Sequence, residues 1–154
     1  MKRVLIAYFS HTGVTEKMAE YIAEGIRFGG HEAIVKKFDE LSNASELEAY
    51  DGYVFGSPVD SADVPEPLKK FLALVGEVKL EGKLYGTFGP YTHDIGYRHD
   101  TYTPAIIFNA LQNVYKMEPF ELGPFNLNEA TIDMTDGIKA CHDYGKIFGE
   151  KLNG

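Results

Sequence analysis

The chain is predicted to be an α/β protein, a five-stranded parallel sheet with helices on both faces. Three observations lead there. Apolar, strand-like runs alternate with helical periodicities from end to end, the pattern of repeated βα units. The first of those runs is continuously apolar through Val4, Leu5, Ile6 and Ala7, as in a strand buried on both faces. Hydrophobic residues make up 44% of 154, enough for a substantial core and too many for a disordered chain. No repeat, low-complexity tract or linker interrupts the sequence, so residues 1–154 are expected to form one domain.

Each element has its own signal. Lys2–Phe9 reads as the first strand. A helix from about Val14 to Arg27 follows, with Val14, Met18, Ile22 and Ile26 four apart and Gly29-Gly30 as its stop. Ala33–Phe38 is the second strand, Glu46–Tyr50 a short helical turn, and Gly52–Ser57 the third strand. Pro65 and Pro67 open a helix through Leu68, Phe71, Leu72 and Val75. Lys83–Phe88 is the fourth strand. Gly89–Thr103 reads as a long loop without regular structure, and such loops are usually functional. Thr103-Pro104 caps and starts a helix carrying Ile106, Ile107, Ala110, Leu111 and Val114. Phe120–Leu127 is a fifth strand, irregular or at an edge because of Pro119, Gly123 and Pro124. The closing helix places Ile138, Cys141, Gly145, Phe148 and Leu152 on one stripe.

Charge and cysteine content narrow the function. A net charge of −8 disfavours nucleic acid and anionic membranes, and makes a basic protein the electrostatic complement. The single cysteine, Cys141, excludes an internal disulfide or thiolate cluster and is expected to be buried. No apolar run is long enough for a signal peptide or a membrane span, so a cytoplasmic location without membrane insertion is expected. A monomer is expected rather than an oligomer.

The chemistry concentrates after the first strand, in Ser10-His11-Thr12-Gly13-Val14-Thr15. A hydroxyl-rich turn that opens into a helix combines free backbone N–H groups, the positive end of a helix dipole and extra O–H donors. Phosphate suits such a nest, and the absence of lysine and arginine leaves neutral donors to hold it. The same hydroxyls can serve simply as helix caps. Neither Gly-x-x-x-x-Gly-Lys-Ser/Thr nor Gly-x-Gly-x-x-Gly after a strand is present, which takes most of the weight from the nucleoside triphosphatase and dinucleotide-fold readings. In open α/β sheets ligands bind beyond the strand ends, so the loops after strands one, three and four should converge.

With those loops in hand, the chain resembles the flavodoxin family over essentially its whole length. The resemblance rests on Ser10–Thr15, which matches a Ser/Thr-x-Thr-Gly-x-Thr phosphate pattern. Phe55-Gly56-Ser57-Pro58-Val59 and Phe88-Gly89-Pro90-Tyr91 support it. It implies a flavodoxin-like three-layer sandwich with strand order 2-1-3-4-5 and FMN as cofactor, bound where the strand order reverses between strands one and three. By the same resemblance Ser10, His11, Thr12, Gly13, Val14 and Thr15 would wrap the flavin phosphate. Ser57, Pro58, Val59 and Asp60 would lie along one side of the isoalloxazine ring, and Gly89, Tyr91 and Tyr97 along the other. Tyrosines 91, 97 and 102 offer stacking surface in a chain that has no tryptophan. Receiver domains of the same strand order need an acidic pair after strand one and an Asp after strand three. Phe9-Ser10 and Gly56-Ser57 stand there instead.

Two activities are compatible with such a flavoprotein. One is a low-potential electron carrier without a catalytic residue or metal, whose Asp60, Asp63 and Glu66 would steer a basic redox partner. The other is an FMN-dependent NAD(P)H:quinone oxidoreductase resembling the tryptophan-repressor-binding-protein family, drawing on His93, Arg98 and His99. Size and charge favour the carrier. Residues 57–64 contain no glycine where flavodoxins usually have one, which predicts weaker stabilisation of the one-electron-reduced flavin.

Overall fold

The computed structural model describes residues 1–10, 13–58, 66–91 and 103–153, without the side chains of 103–106. In chain order the elements are β1 (Arg3–Tyr8), α1 (Val14–Phe28), β2 (Glu32–Lys37), β3 (Gly52–Gly56), α2 (Glu66–Val75), β4 (Leu84–Tyr91), α3 (Thr103–Asn113), β5 (Glu118–Asn128) and α4 (Thr135–Asn153). The five strands form one sheet in the order β2-β1-β3-β4-β5, every neighbouring pair parallel. This is the flavodoxin-like order the resemblance implied.

The continuous apolar runs make sense because alternate residues feed two cores. Val4, Ile6 and Tyr8 of β1, Val54 of β3 and Phe88 of β4 pack with Met18, Ile22 and Ile26 of α1 and Cys141, Tyr144 and Phe148 of α4. Leu5, Ala7, Tyr53, Phe55 and Tyr85 face the other way, onto Leu68, Phe71 and Val75 of α2 and Ile107 and Leu111 of α3. Each fully buried large apolar side chain contributes about 1.5–3 kcal/mol. Cys141 is buried among them, as the sequence pattern predicted.

Helices α1 and α4 meet along bare backbone. A Cβ on Gly25 would lie 2.2 Å from the His142 carbonyl oxygen, and one on Gly145 would lie 2.2 Å from that of Ile22. Only glycine permits so close an approach. Polar contacts flank the seam: Glu24 Oε1 and His142 Nε2 are 2.8 Å apart, and Lys17 Nζ and the Tyr21 hydroxyl donate to Asp133 at 2.7 and 2.8 Å.

Three boundaries depart from the sequence reading. Strand β4 does not stop at Phe88 but continues through Gly89 and Pro90 to Tyr91, shortening the predicted loop, because β5 pairs with it that far. Strand β5 correspondingly spans Glu118–Asn128, at the sheet edge and irregular opposite Tyr85–Thr87, where Gly123 adopts φ 70°. The turn placed at Glu46–Tyr50 is a 3-10 turn at Ala44–Leu47.

Candidate functional site

The register aligns Tyr8, Gly56 and Phe88 side by side at the carboxyl ends of β1, β3 and β4. The Phe9 N–H donates to the Gly56 carbonyl at 3.0 Å and the Ser57 N–H to the Phe88 carbonyl at 3.1 Å. The chain therefore leaves β1 and β3 at one level. Gly56 is required there: a Cβ would sit 2.2–2.6 Å from the Phe88 ring. β4 runs on, placing Gly89 opposite Asn126 and Tyr91 opposite Asn128.

The turn out of β1 is fastened by the Gly13 N–H, which donates to Ser10 Oγ at 2.9 Å. Gly13 has φ +89°, a left-handed conformation costing a side-chain-bearing residue roughly 1–2 kcal/mol, and open space where a Cβ would be. Its carbonyl accepts the Lys17 N–H at 3.1 Å, closing the first turn of α1. Gly13 supplies no capping side chain, so the amides of Val14, Thr15 and Glu16 stand at the positive helix end without intrahelical acceptors. Lys17 Nζ, in the same turn, pairs with Asp133 at 2.7 Å.

Two hydroxyls at this edge are buried without partners among the described residues. Thr15 is 1% exposed and its Oγ1 has no hydrogen bond; Ser57 is fully buried and its Oγ has none. Burying an unpaired polar group costs about 1–3 kcal/mol, so native chains do this sparingly, and each such group calls for an explanation. Asn126 Oδ1 is similarly buried and unpaired. Asn126 is absent from the sequence-predicted set. Its strand-edge position gave no motif, and only its placement opposite Gly89 draws attention to it. The Tyr8 hydroxyl carries no sequence signal either; it donates to Glu16 Oε1 at 2.7 Å. Burial raises the Tyr8 pKa well above the usual phenol value, and the nearby Glu16, Glu40 and Glu20 carboxylates raise it further.

Of the predicted site residues, Ser10, Gly13, Val14 and Thr15 gather at the α1 start, and Ser57 and Pro58 follow β3. Gly89 and Tyr91 belong to strand β4 and not to a loop. His11, Thr12, Val59, Asp60 and Tyr97 lie outside the described residues, as do Asp63, His93, Arg98, His99 and Tyr102.

The flavodoxin family model matches residues 6–107, about two thirds of the chain and all three of these strand ends. The chain belongs to the flavodoxin family. A curated relative, the NAD(P)H dehydrogenase (quinone) of Archaeoglobus fulgidus, is 29% identical over 113 residues, 58% of this chain and 59% of the relative. The chain thus matches about three fifths of that relative's length. The protein of the same name from Gluconacetobacter diazotrophicus is 27% identical over 177 residues, covering 93% of this chain and 89% of its own. Among solved structures, a flavodoxin from the domain Archaea superposes with a TM-score of 0.80 at 21% identity, covering 99% of both chains. Flavodoxin 1 from Bacillus cereus gives 0.72 at 24% identity, over 96% of this chain and 97% of the other. FMN is the cofactor of this family, and the uncapped α1 start with the unpaired Thr15 hydroxyl fits its phosphate. Among the described residues, no cluster of side chains has the makings of a metal site, and no helix is long and apolar enough to cross a membrane.

Proposed function

We propose that this protein is a low-potential electron carrier, passing electrons between partner proteins rather than turning over a substrate of its own. FMN supplies the redox chemistry. The chain's part is to hold the phosphate with Ser10, Thr12 and Thr15 and the first amides of α1. Ser57, Pro58, Val59 and Asp60 would serve one side of the ring, and Gly89, Tyr91 and Tyr97 the other. Direct hydrogen bonds to a charged group contribute about 1.5–3 kcal/mol each, so a few neutral donors suffice for the phosphate.

The observation that carries the carrier reading is the brevity of the chain beside a quinone reductase that it resembles. The Gluconacetobacter quinone reductase aligns over 177 residues with 93% of this 154-residue chain, so it carries insertions without counterpart here. The net charge of −8, with Glu66 exposed at the start of α2, supports a partner with a basic surface meeting the protein in a fast, weak encounter. A monomer is the form we expect to act.

A second reading, an FMN-dependent NAD(P)H:quinone oxidoreductase, is favoured by the curated names of three relatives. The two separate in one experiment: a visible spectrum of the purified protein, followed by NADH and NADPH oxidation in the presence of a soluble quinone. Yellow protein with negligible turnover supports the carrier. Rapid turnover overturns it in favour of the enzyme.

A further inference from the structure

The first turn of α1 contains its own rival to a bound phosphate. Glu16 is the third residue of the helix, the position from which a carboxylate reaches back to cap the helix start. Gly13 offers no side-chain cap, and its own N–H is already taken by Ser10 Oγ. A carboxylate folded back onto the remaining amides would satisfy them and occupy the same positive end that an incoming dianion needs. It does not do so here. The Glu16 carboxylate accepts a 2.7 Å hydrogen bond from the Tyr8 hydroxyl, whose ring is 3% exposed and anchored in the core between the sheet and α1. The hydroxyl also lies within the field of Glu20 and Glu40, and its hydrogen bond goes to Glu16. Resting on the flavin reading above, we propose that Tyr8 is a positioning residue for the phosphate site. It holds the Glu16 carboxylate aside so that the α1 amides stay open to the flavin phosphate.

The ligand that reports this is FMN set against riboflavin, which has the same ring and no phosphate. Flavin-free full-length wild type, Tyr8→Phe, Glu16→Gln and the double variant are titrated with each flavin by fluorescence quenching. Freeing a carboxylate to cap a helix start is worth about 0.3–1 kcal/mol. Tyr8→Phe should therefore weaken FMN binding about two- to five-fold. Riboflavin affinity should be unchanged, and the double variant should bind FMN at least as tightly as wild type. Glu16→Gln alone should match or exceed wild type. The inference is overturned if Tyr8→Phe binds FMN like wild type, if both flavins weaken together, or if the second substitution fails to restore FMN. A wild-type chain that takes up neither flavin would overturn the flavin reading itself, a different result from a wild type that binds FMN and a variant that shows no difference.

Discussion

Replacing Thr15 by valine separates what a hydroxyl does for the fold from what it does for the ligand. The side chain is 1% exposed and its Oγ1 is unpaired, so in the flavin-free protein that hydroxyl is a desolvated group with nothing in return. Valine keeps the shape, the branching and the helix propensity while removing the polar atom. Relief of the unpaired group should stabilise the flavin-free protein by about 1 kcal/mol, a rise in Tm of about 2–4 °C for a chain of this length. The ligand should respond in the opposite sense. Losing one hydrogen bond to a charged phosphate costs about 1.5–3 kcal/mol, or about 10- to 150-fold in Kd. Thermal melts of the stripped protein and fluorescence titration with FMN read the two quantities separately. Thr15→Ser, which keeps the hydroxyl, should retain most of the affinity while losing about 0.8 kcal/mol of stability with its buried methyl. A Thr15→Val protein that melts lower, or one that binds FMN like wild type, would refute the assignment of that hydroxyl to the ligand.

Other expectations follow from the same geometry. Tyr144 buries an unpaired hydroxyl while its ring stacks on Phe125 at 4.7 Å, so Tyr144→Phe should raise the urea midpoint; a loss of stability would show that the hydroxyl has a partner. Gly145→Ala would drive a methyl into the α1 backbone, and the resulting overpacking, about 1–3 kcal/mol, should outweigh the gain of about 1 kcal/mol in helix propensity, lowering Tm. Burial pushes Tyr53 from 10.0 up to about 12 and Cys141 from 9.0 up to about 12, and raises Tyr8, Tyr85 and Tyr144 as well. The unfolded chain releases those protons first, so it binds fewer than the folded chain from about pH 9 to pH 12. Stability should be intact below that window and fall as pH rises through it; urea midpoints that stay level there would contradict the burial of these groups. Native Cys141 should resist a thiol reagent until the protein unfolds, and prompt labelling would count against its place in the core.

The fold was legible wherever one signal dominated. β1 is apolar at every position because both its faces are covered, and α1 repeats its apolar residues four apart because one face is covered. The end of β4 was not. Gly89 and Pro90 are turn formers by local preference, and they lie in a strand because β5 pairs alongside, a contact with residues beyond the next helix. At the site, Ser10, Gly13 and Thr15 could be read from one short segment because a helix start demands them locally. The Tyr8–Glu16 bond crosses from a strand through a turn to a helix, and no sequence period joins those residues. Asn126 is placed near Gly89 only by strand pairing, which a single sequence does not announce.

The glycine seam between α1 and α4 joins the helix after the first strand to the helix after the last. Glu24 and His142 face each other across 118 residues of sequence, so α1 finds its packing partner only after all five strands have left the ribosome. Until then Met18, Ile22 and Ile26 have the sheet to pack on but lack the half of their cover that Cys141, Tyr144 and Phe148 supply. The helix whose start faces the phosphate is thus braced from behind by the helix that follows the last strand.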